Sequence, residues 1–165
     1  MESAISRREA WIEVDAEDRA EIADALHRFC AGQDRRDREL FESAFSAQAT
    51  LDFIGPALRL GARIEVFKGP AAIADTIFSV IAALDSTRTG TNLRVTKNDG
   101  VRASAFALVE AQHVTSGGHA RRQAIKHIYL LELSRTGRVW SIDRMKINLV
   151  WFSSEPAAML PGAGG

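Results

Sequence analysis

Two histidines and the single tyrosine are the residues of this sequence best suited to proton transfer. His113 falls on the alanine-rich face of a predicted strand, and His127 and Tyr129 share one face of the next predicted strand. Histidine titrates near neutrality and a tyrosine hydroxyl can donate a proton, so these side chains could act as base and acid. The alternatives are a histidine at the sheet rim and a buried tyrosine bonded to the backbone.

Two carboxylates, an arginine and an amide are further candidates. Asp34 closes a predicted helix, and in an apolar pocket it could accept a proton or orient a base; the alternative is a helix-end carboxylate in a solvated turn. Arg88 stays protonated, so it could pair with Asp34 or bind an oxyanion, unless it is a surface side chain. Asp52 and Asn92 could contact a ligand, although an outward strand position and an edge-strand role are their respective alternatives.

Composition excludes several function classes. The 165 residues contain 21 Lys and Arg and 21 Asp and Glu, and a zero net charge argues against a nucleic-acid partner bound through a basic surface. One cysteine, Cys30, excludes an intrachain disulfide framework, and no histidine spacing indicates a metal site. No apolar run reaches the ~20 residues that span a membrane, so we expect a cytoplasmic protein without a membrane partner.

Hydrophobic periodicity predicts helices first and a four-strand antiparallel meander afterwards, which is an α+β pattern. The helices are predicted over residues 15–34, 38–45 and 71–84, with a strand over 50–54 and its hairpin partner over 58–67 in between. The meander is predicted over residues 91–96, 101–114, 122–133 and 139–152. The chain therefore divides into an arm (1–14), one domain (15–152) and a tail (153–165).

The central predicted strands are apolar on both faces. Phe106 and Leu108 stand opposite the alanine-rich face, and Ile128 and Leu130 stand opposite the face of His127. A sheet of this kind needs helices on one side and a second cover on the other. We therefore expect a homo-oligomer.

Several segments in order carry a further pattern. Phe29 is followed by Asp34 and Asp37 at the end of the first helix, and Lys68-Gly69-Pro70 opens the third. The segments 90–95, 137–140 and 148–152 complete the set. Together they resemble the SnoaL-like branch of the NTF2-like superfamily over roughly residues 15–152. The resemblance implies a cone of curved antiparallel sheet, capped by three N-terminal helices around a pocket, in a trimer or dimer.

The resemblance also implies a chemistry. The lyases of the family use an aspartate beside a pocket histidine to remove a proton from carbon, and water or halide leaves without a cofactor. Asp34 matches the aspartate, whereas the histidine position falls near Arg88 or Thr89, and neither is histidine. Phe29 occupies an aromatic pocket position that is often tyrosine in the family. Met145 falls near the position where the family's dehydrochlorinase has an arginine that assists the leaving group. We expect Phe29 and Met145 to line the pocket.

We therefore expect a cofactor-independent lyase or isomerase of the dehydratase, dehydrohalogenase or C–C lyase type. Its substrate would be a small aromatic or alicyclic molecule, with His113 or His127 and Tyr129 moving the proton and Arg88 holding an oxyanion. The alternative is a non-catalytic ligand-binding or assembly subunit of the same fold, which the replaced histidine and tyrosine positions favour.

Overall fold

Four helices and a pair of shorter strands precede the long strands of the sheet. The computed structural model describes Ile12, residues 14–118 and residues 121–153. The helices are α1 (Ala16–Asp34), α2 (Arg38–Ser43), α3 (Ile54–Arg59) and α4 (Pro70–Val80). The strands are β1 (Phe45–Asp52), β2 (Phe67–Lys68), β3 (Leu84–Asn98), β4 (Arg102–Thr115), β5 (Arg122–Thr136) and β6 (Val139–Phe152). The predicted arm and tail lie almost wholly outside the described residues, so the domain division stays a prediction.

Local side chains determine where the first helices begin. The backbone N–H of Asp18 donates to Asp15 over 2.8 Å at the start of α1, and that of Leu40 donates to Asp37 over 2.9 Å at the start of α2. The two helices approach closely at Gly32, where a Cβ atom would lie 2.5 Å from the backbone nitrogen of Phe41. Glycine is therefore required at this crossing, which holds the end of α1 against the core.

The strands form one six-stranded sheet in the order β2-β1-β6-β5-β4-β3. The four long strands β3 to β6 are antiparallel neighbours, and glycines with positive φ lie in the turns between them. Register shifts in the β3–β4 and β5–β6 pairs mark bulges, which bend strands and increase their twist. The predicted α+β class and the antiparallel meander are confirmed.

The prediction was wrong in the region between the second helix and the meander. β1 pairs in parallel with β6, with Leu51 opposite Met145, so the sheet is mixed rather than antiparallel. The predicted hairpin partner over 58–67 is instead the end of α3 and a stretch of chain leading to the two-residue β2. With α3, the described residues contain four helices rather than three. Gly55-Pro56 follows the predicted strand over 50–54 and lies in the first turn of α3, where proline is tolerated.

β3 begins earlier in the chain than predicted, and this difference bears on function. The third helix was predicted to reach Leu84 and the strand to begin at Thr91, whereas α4 ends at Val80 and β3 begins at Leu84. Exposed and more buried residues alternate from Leu84 to Gly90, but the inner positions include Ser86 and Arg88. Hydrophobic alternation does not detect a strand whose inner face is polar.

Strand parity correctly predicted the inner face of the meander. On β4 the alanines and Val109 are buried, and on β5 so are His127 and Tyr129. The opposite faces carry the half-buried Phe106 and the exposed Leu130. The helices therefore cover one face of the sheet, and the other stays partly apolar.

Candidate active site

A cavity of about 240 Å³ lies between the inner face of the sheet and the helices. Its walls come from α1, from α3 and the chain that follows it, from α4, and from β3 to β6. Most of the lining is apolar, including Phe29, Phe53, Ile77, Ile125 and Ile147. Its polar side chains are Gln33, Thr76, Arg88, His113, Gln123, His127 and Tyr129.

Asp34 and Arg88 form an ion pair at the end of α1. The Arg88 Nη1 donates to one carboxylate oxygen of Asp34 over 2.8 Å, and the Arg88 backbone N–H donates to the other over 2.8 Å. The side chain of Arg88 is 6% exposed and lines the cavity, whereas that of Asp34 is 21% exposed and does not line it. The pairing predicted for Arg88 is therefore present, and this geometry gives Asp34 contact with Arg88 rather than with the cavity.

His113 reaches the cavity from the far end of β4. Its Nδ1 lies 2.7 Å from the Oγ of Ser86, the residue opposite it on β3. Burial, and after it the positive charges of Arg88 and His127, lower the pKa of His113 to about 4. The imidazole is therefore neutral at pH 7, and the Ser86 hydroxyl fixes its orientation.

His127 lies deeper in the sheet and is 6% exposed. Its Nδ1 is buried and has no hydrogen-bond partner among the described residues, and its ring centroid lies 6.1 Å from that of Phe53 and 6.0 Å from that of Tyr129. Burial and then the Arg88 charge lower the pKa of His127 to about 4. This neutral imidazole with an unsatisfied nitrogen could accept a proton or a hydrogen bond from a ligand.

Tyr129 and Phe29 form the floor of the cavity. Their ring centroids lie 5.8 Å apart in an edge-to-face arrangement, and Phe29 also packs on Phe41 at 5.2 Å. Burial raises the pKa of Tyr129 well above its usual value, so the hydroxyl stays protonated and can act as a donor. The structure places Phe29 at the cavity wall.

Three other predicted site residues lie away from the cavity. Asp52 accepts from the backbone N–H of Ile54 over 3.0 Å and does not line it. Asn92 has φ +54° at a β3 register shift and faces a different surface depression, and Met145 is 1% exposed in the core beside Leu51. We do not expect these three to touch a ligand in this cavity.

Sequence reasoning missed several lining residues. Gln123 precedes Ile125 and His127 on the same face of β5, so strand parity could have found it. Leu84, which lines the cavity, and Ser86, which contacts His113 without lining it, were missed because the start of β3 was not predicted. The segment after β1 was predicted to be a hairpin partner, and for this reason three further lining residues were missed, Ala57, Leu60 and Ile64.

The titratable groups do not converge as a metal site would require. Within the ranges that the structure describes, no group of three or more His, Cys, Asp or Glu side chains could hold a metal ion. The titratable side chains that line the cavity are one cation, two neutral imidazoles and a phenol, set among apolar walls and the uncharged polar side chains of Gln33, Thr76 and Gln123.

A family profile settles where this arrangement belongs. The profile of the SnoaL-like domain matches residues 14–146, which is most of the chain. The protein belongs to the SnoaL-like domain family. The NTF2-like cone that the sequence resemblance implied is thereby confirmed.

Solved structures agree with this fold at low sequence identity. A hexachlorocyclohexane dehydrochlorinase, LinA-type3 from Novosphingobium barchaimii, is 23% identical with a TM-score of 0.68, covering 82% of this chain and 88% of that one. Kfla4162 from Kribbella flavida is 21% identical with a TM-score of 0.73, covering 86% and 97%. A scytalone dehydratase candidate from Novosphingobium aromaticivorans is 12% identical with a TM-score of 0.69, covering 82% and 85%. At these identities the likeness shows the fold alone.

No curated protein matches the chain significantly. None of the helices in the described ranges is long and apolar enough to cross a membrane.

Proposed function

We propose that this SnoaL-like protein is a cofactor-independent lyase or isomerase that acts by acid–base chemistry on a small aromatic or alicyclic molecule in the cavity. The environment of His127 is the observation that carries the proposal. This residue is a cavity-lining imidazole that is neutral at pH 7, lacks a partner for its buried Nδ1 and lies beside the protonated Tyr129. Solved neighbours of the same fold include a dehydrochlorinase, which is consistent with elimination chemistry.

Each polar residue of the site has a separate role in an elimination. His127 removes a proton from a ring carbon, and the electron pair of that C–H bond forms a C=C bond as the leaving group departs from the neighbouring carbon. Tyr129 donates a hydrogen bond to the leaving group or to a developing oxyanion, and Arg88 stabilises negative charge. Asp34 is a positioning residue, because it anchors one guanidinium nitrogen and the backbone of Arg88.

The test measures proton removal without requiring the natural substrate to be known. The protein is incubated in D₂O with a panel of chlorinated cyclohexanes and hydroxylated ring ketones, and NMR follows deuterium incorporation and elimination. His127→Asn should lower the rate by about 100-fold or more, since a general base contributes that much. His27→Asn is the matched control, because His27 is exposed on α1. An unchanged rate in a folded His127→Asn variant would overturn the assignment.

A non-catalytic ligand-binding module is the second candidate. The Asp34–Arg88 pair supports it, because both carboxylate oxygens of Asp34 already accept hydrogen bonds from Arg88 and Asp34 does not line the cavity. Binding of panel compounds by the wild-type protein, with neither exchange nor elimination of any of them, would favour this function over the first.

A further inference from the structure

Arg88 dominates the electrostatics of the cavity. Among the described lining residues it alone carries a formal charge at neutral pH, because His113 and His127 are held neutral and no carboxylate lines the space. Its partner Asp34 stands outside the lining and is more exposed, so water screens the negative end of the pair more than the positive end. The interior therefore favours an anion.

The guanidinium has donors to spare. The described contacts of its side chain use Nη1 alone, which donates to Asp34. Nε–H and one Nη2–H lie parallel on the other edge of the planar group, and they have no hydrogen-bond partner among the residues that the structure describes. Two parallel N–H donors at this spacing match the two oxygens of a carboxylate.

The size of the cavity limits what can accompany that carboxylate. A cavity of about 150 Å³ with apolar walls holds a benzene molecule. The 240 Å³ found in this protein therefore accommodate one ring and a few more atoms, about ten non-hydrogen atoms in all. Phe29, Phe53 and Ile125 offer the ring apolar surface.

We propose that the cavity binds a small one-ring organic acid, whose carboxylate pairs with the Nε–Nη2 edge of Arg88 while its ring packs on the apolar walls. This inference rests on the proposed function in placing the ligand in the same cavity, and it adds the substrate class. It also gives the anion a chemical effect. Burial first, and the Arg88 charge after it, lower the pKa of both histidines. A bound carboxylate offsets the second of these effects, and His127 becomes a stronger base.

The experiment compares acids with amides of the same shape. Isothermal titration calorimetry at pH 7 measures the binding of benzoate against benzamide and of cyclohexanecarboxylate against cyclohexanecarboxamide. The wild-type protein should bind each acid at least tenfold more tightly than its amide. Arg88→Gln should remove this preference. Equal affinities for acid and amide, no binding of either acid, or an unchanged preference in Arg88→Gln would each overturn the proposal.

Matched variants guard against misfolding and nonspecific charge effects. Lys97→Gln removes a cation from the same strand outside the cavity and should keep the preference. If Arg88→Gln unfolds, the double variant Asp34→Asn/Arg88→Gln leaves no unpaired charge, and it too should lose the preference; retention would count against the proposal. Arg88→Lys keeps the positive charge but lacks the two parallel N–H donors, so it should weaken the preference for acids over amides.

The two proposals fail in different ways. His127→Asn should keep the preference for acids, since Arg88 is intact, even where it abolishes turnover. A protein that turns over neutral rings and shows no preference for acids would retain the proposed function and lose this inference. A protein that binds acids through Arg88 without turnover would do the opposite.

Discussion

The two cavity histidines are buried in their neutral forms, and for this reason the protein should be less stable at acidic pH. Each has a folded-state pKa of about 4, below the usual 6.5. Between these values the unfolded chain binds protons that the folded protein does not. The free energy of unfolding therefore has its full value above about pH 6.5, and it decreases as the pH falls toward 4 and the histidines of the unfolded chain bind protons.

We predict a measurable pH slope from this difference. Each histidine should lower the free energy of unfolding by about 1.5 kcal/mol between pH 6.5 and pH 5. Urea unfolding at these two pH values measures the loss. His127→Asn should reduce the loss by one histidine's share, whereas the exposed His27→Asn should leave it unchanged. Equal losses in wild type and His127→Asn would show that His127 titrates normally.

A buried carboxylate joins α1 to the ends of two hairpins. Asp18 is 5% exposed and accepts hydrogen bonds from Asn98 at 2.9 Å, Trp140 at 3.0 Å and Arg135 at 3.0 Å. The Asn98 amide first, and Trp140 and Arg135 after it, hold the pKa of Asp18 below its usual value against the opposing effect of burial. These contacts fix the helix across the sheet, and so position Phe29 and Asp34 at its other end.

Asp18→Asn should destabilise the protein by about 2 kcal/mol, because it leaves a buried donor without its carboxylate acceptor and removes the negative partner of Arg135, which is itself 37% exposed. Chemical denaturation measures the change. The neighbouring Glu17 is the matched control. Its pair with Arg138 is 61% and 84% exposed, so Glu17→Gln should cost about 0–1 kcal/mol. Similar costs for both variants would contradict the role given to Asp18.

The outer face of the sheet carries an apolar patch with charged pairs at its border. Phe106 stands opposite Leu130 and Leu108 opposite Ile128 in the β4–β5 pair, and Leu130 is 43% exposed. The pair Lys126–Glu110 at 3.2 Å lies beside the patch. An apolar centre with a polar rim is typical of protein interfaces, which supports the predicted homo-oligomer.

We predict that a second copy of the chain covers this patch in a dimer or trimer. Leu130→Glu should convert the oligomer to a monomer, because the carboxylate would be buried in the interface without a partner. Size-exclusion chromatography with light scattering measures the mass. Val139→Glu introduces the same charge at an exposed position beside the β5–β6 turn and should leave the mass unchanged. A monomeric wild type, or an unchanged mass for Leu130→Glu, would contradict the prediction.

Local patterns determined much of this protein. Alternation within β4 and β5 predicted which side chains face inward, including His113, His127 and Tyr129. Gly100, Gly117 and Gly137 fall in the gaps between the predicted strands or at their edge, and each has a positive φ, which is a local demand of the backbone. Such features depend on near neighbours in the chain, so the sequence carries them without knowledge of the fold.

Only the tertiary structure decided how distant segments meet. The parallel pairing of β1 with β6 and the bond from Arg88 to Asp34 join residues far apart in the chain, and no periodicity encodes such pairs. Arg88 lies on an inner strand position because its charge is compensated there by Asp34, which overrides the tendency of an arginine to face solvent. The sequence by itself therefore named Asp34, Arg88 and the histidines as candidates, and long-range packing decided that Arg88 faces the cavity and Asp34 stands behind it.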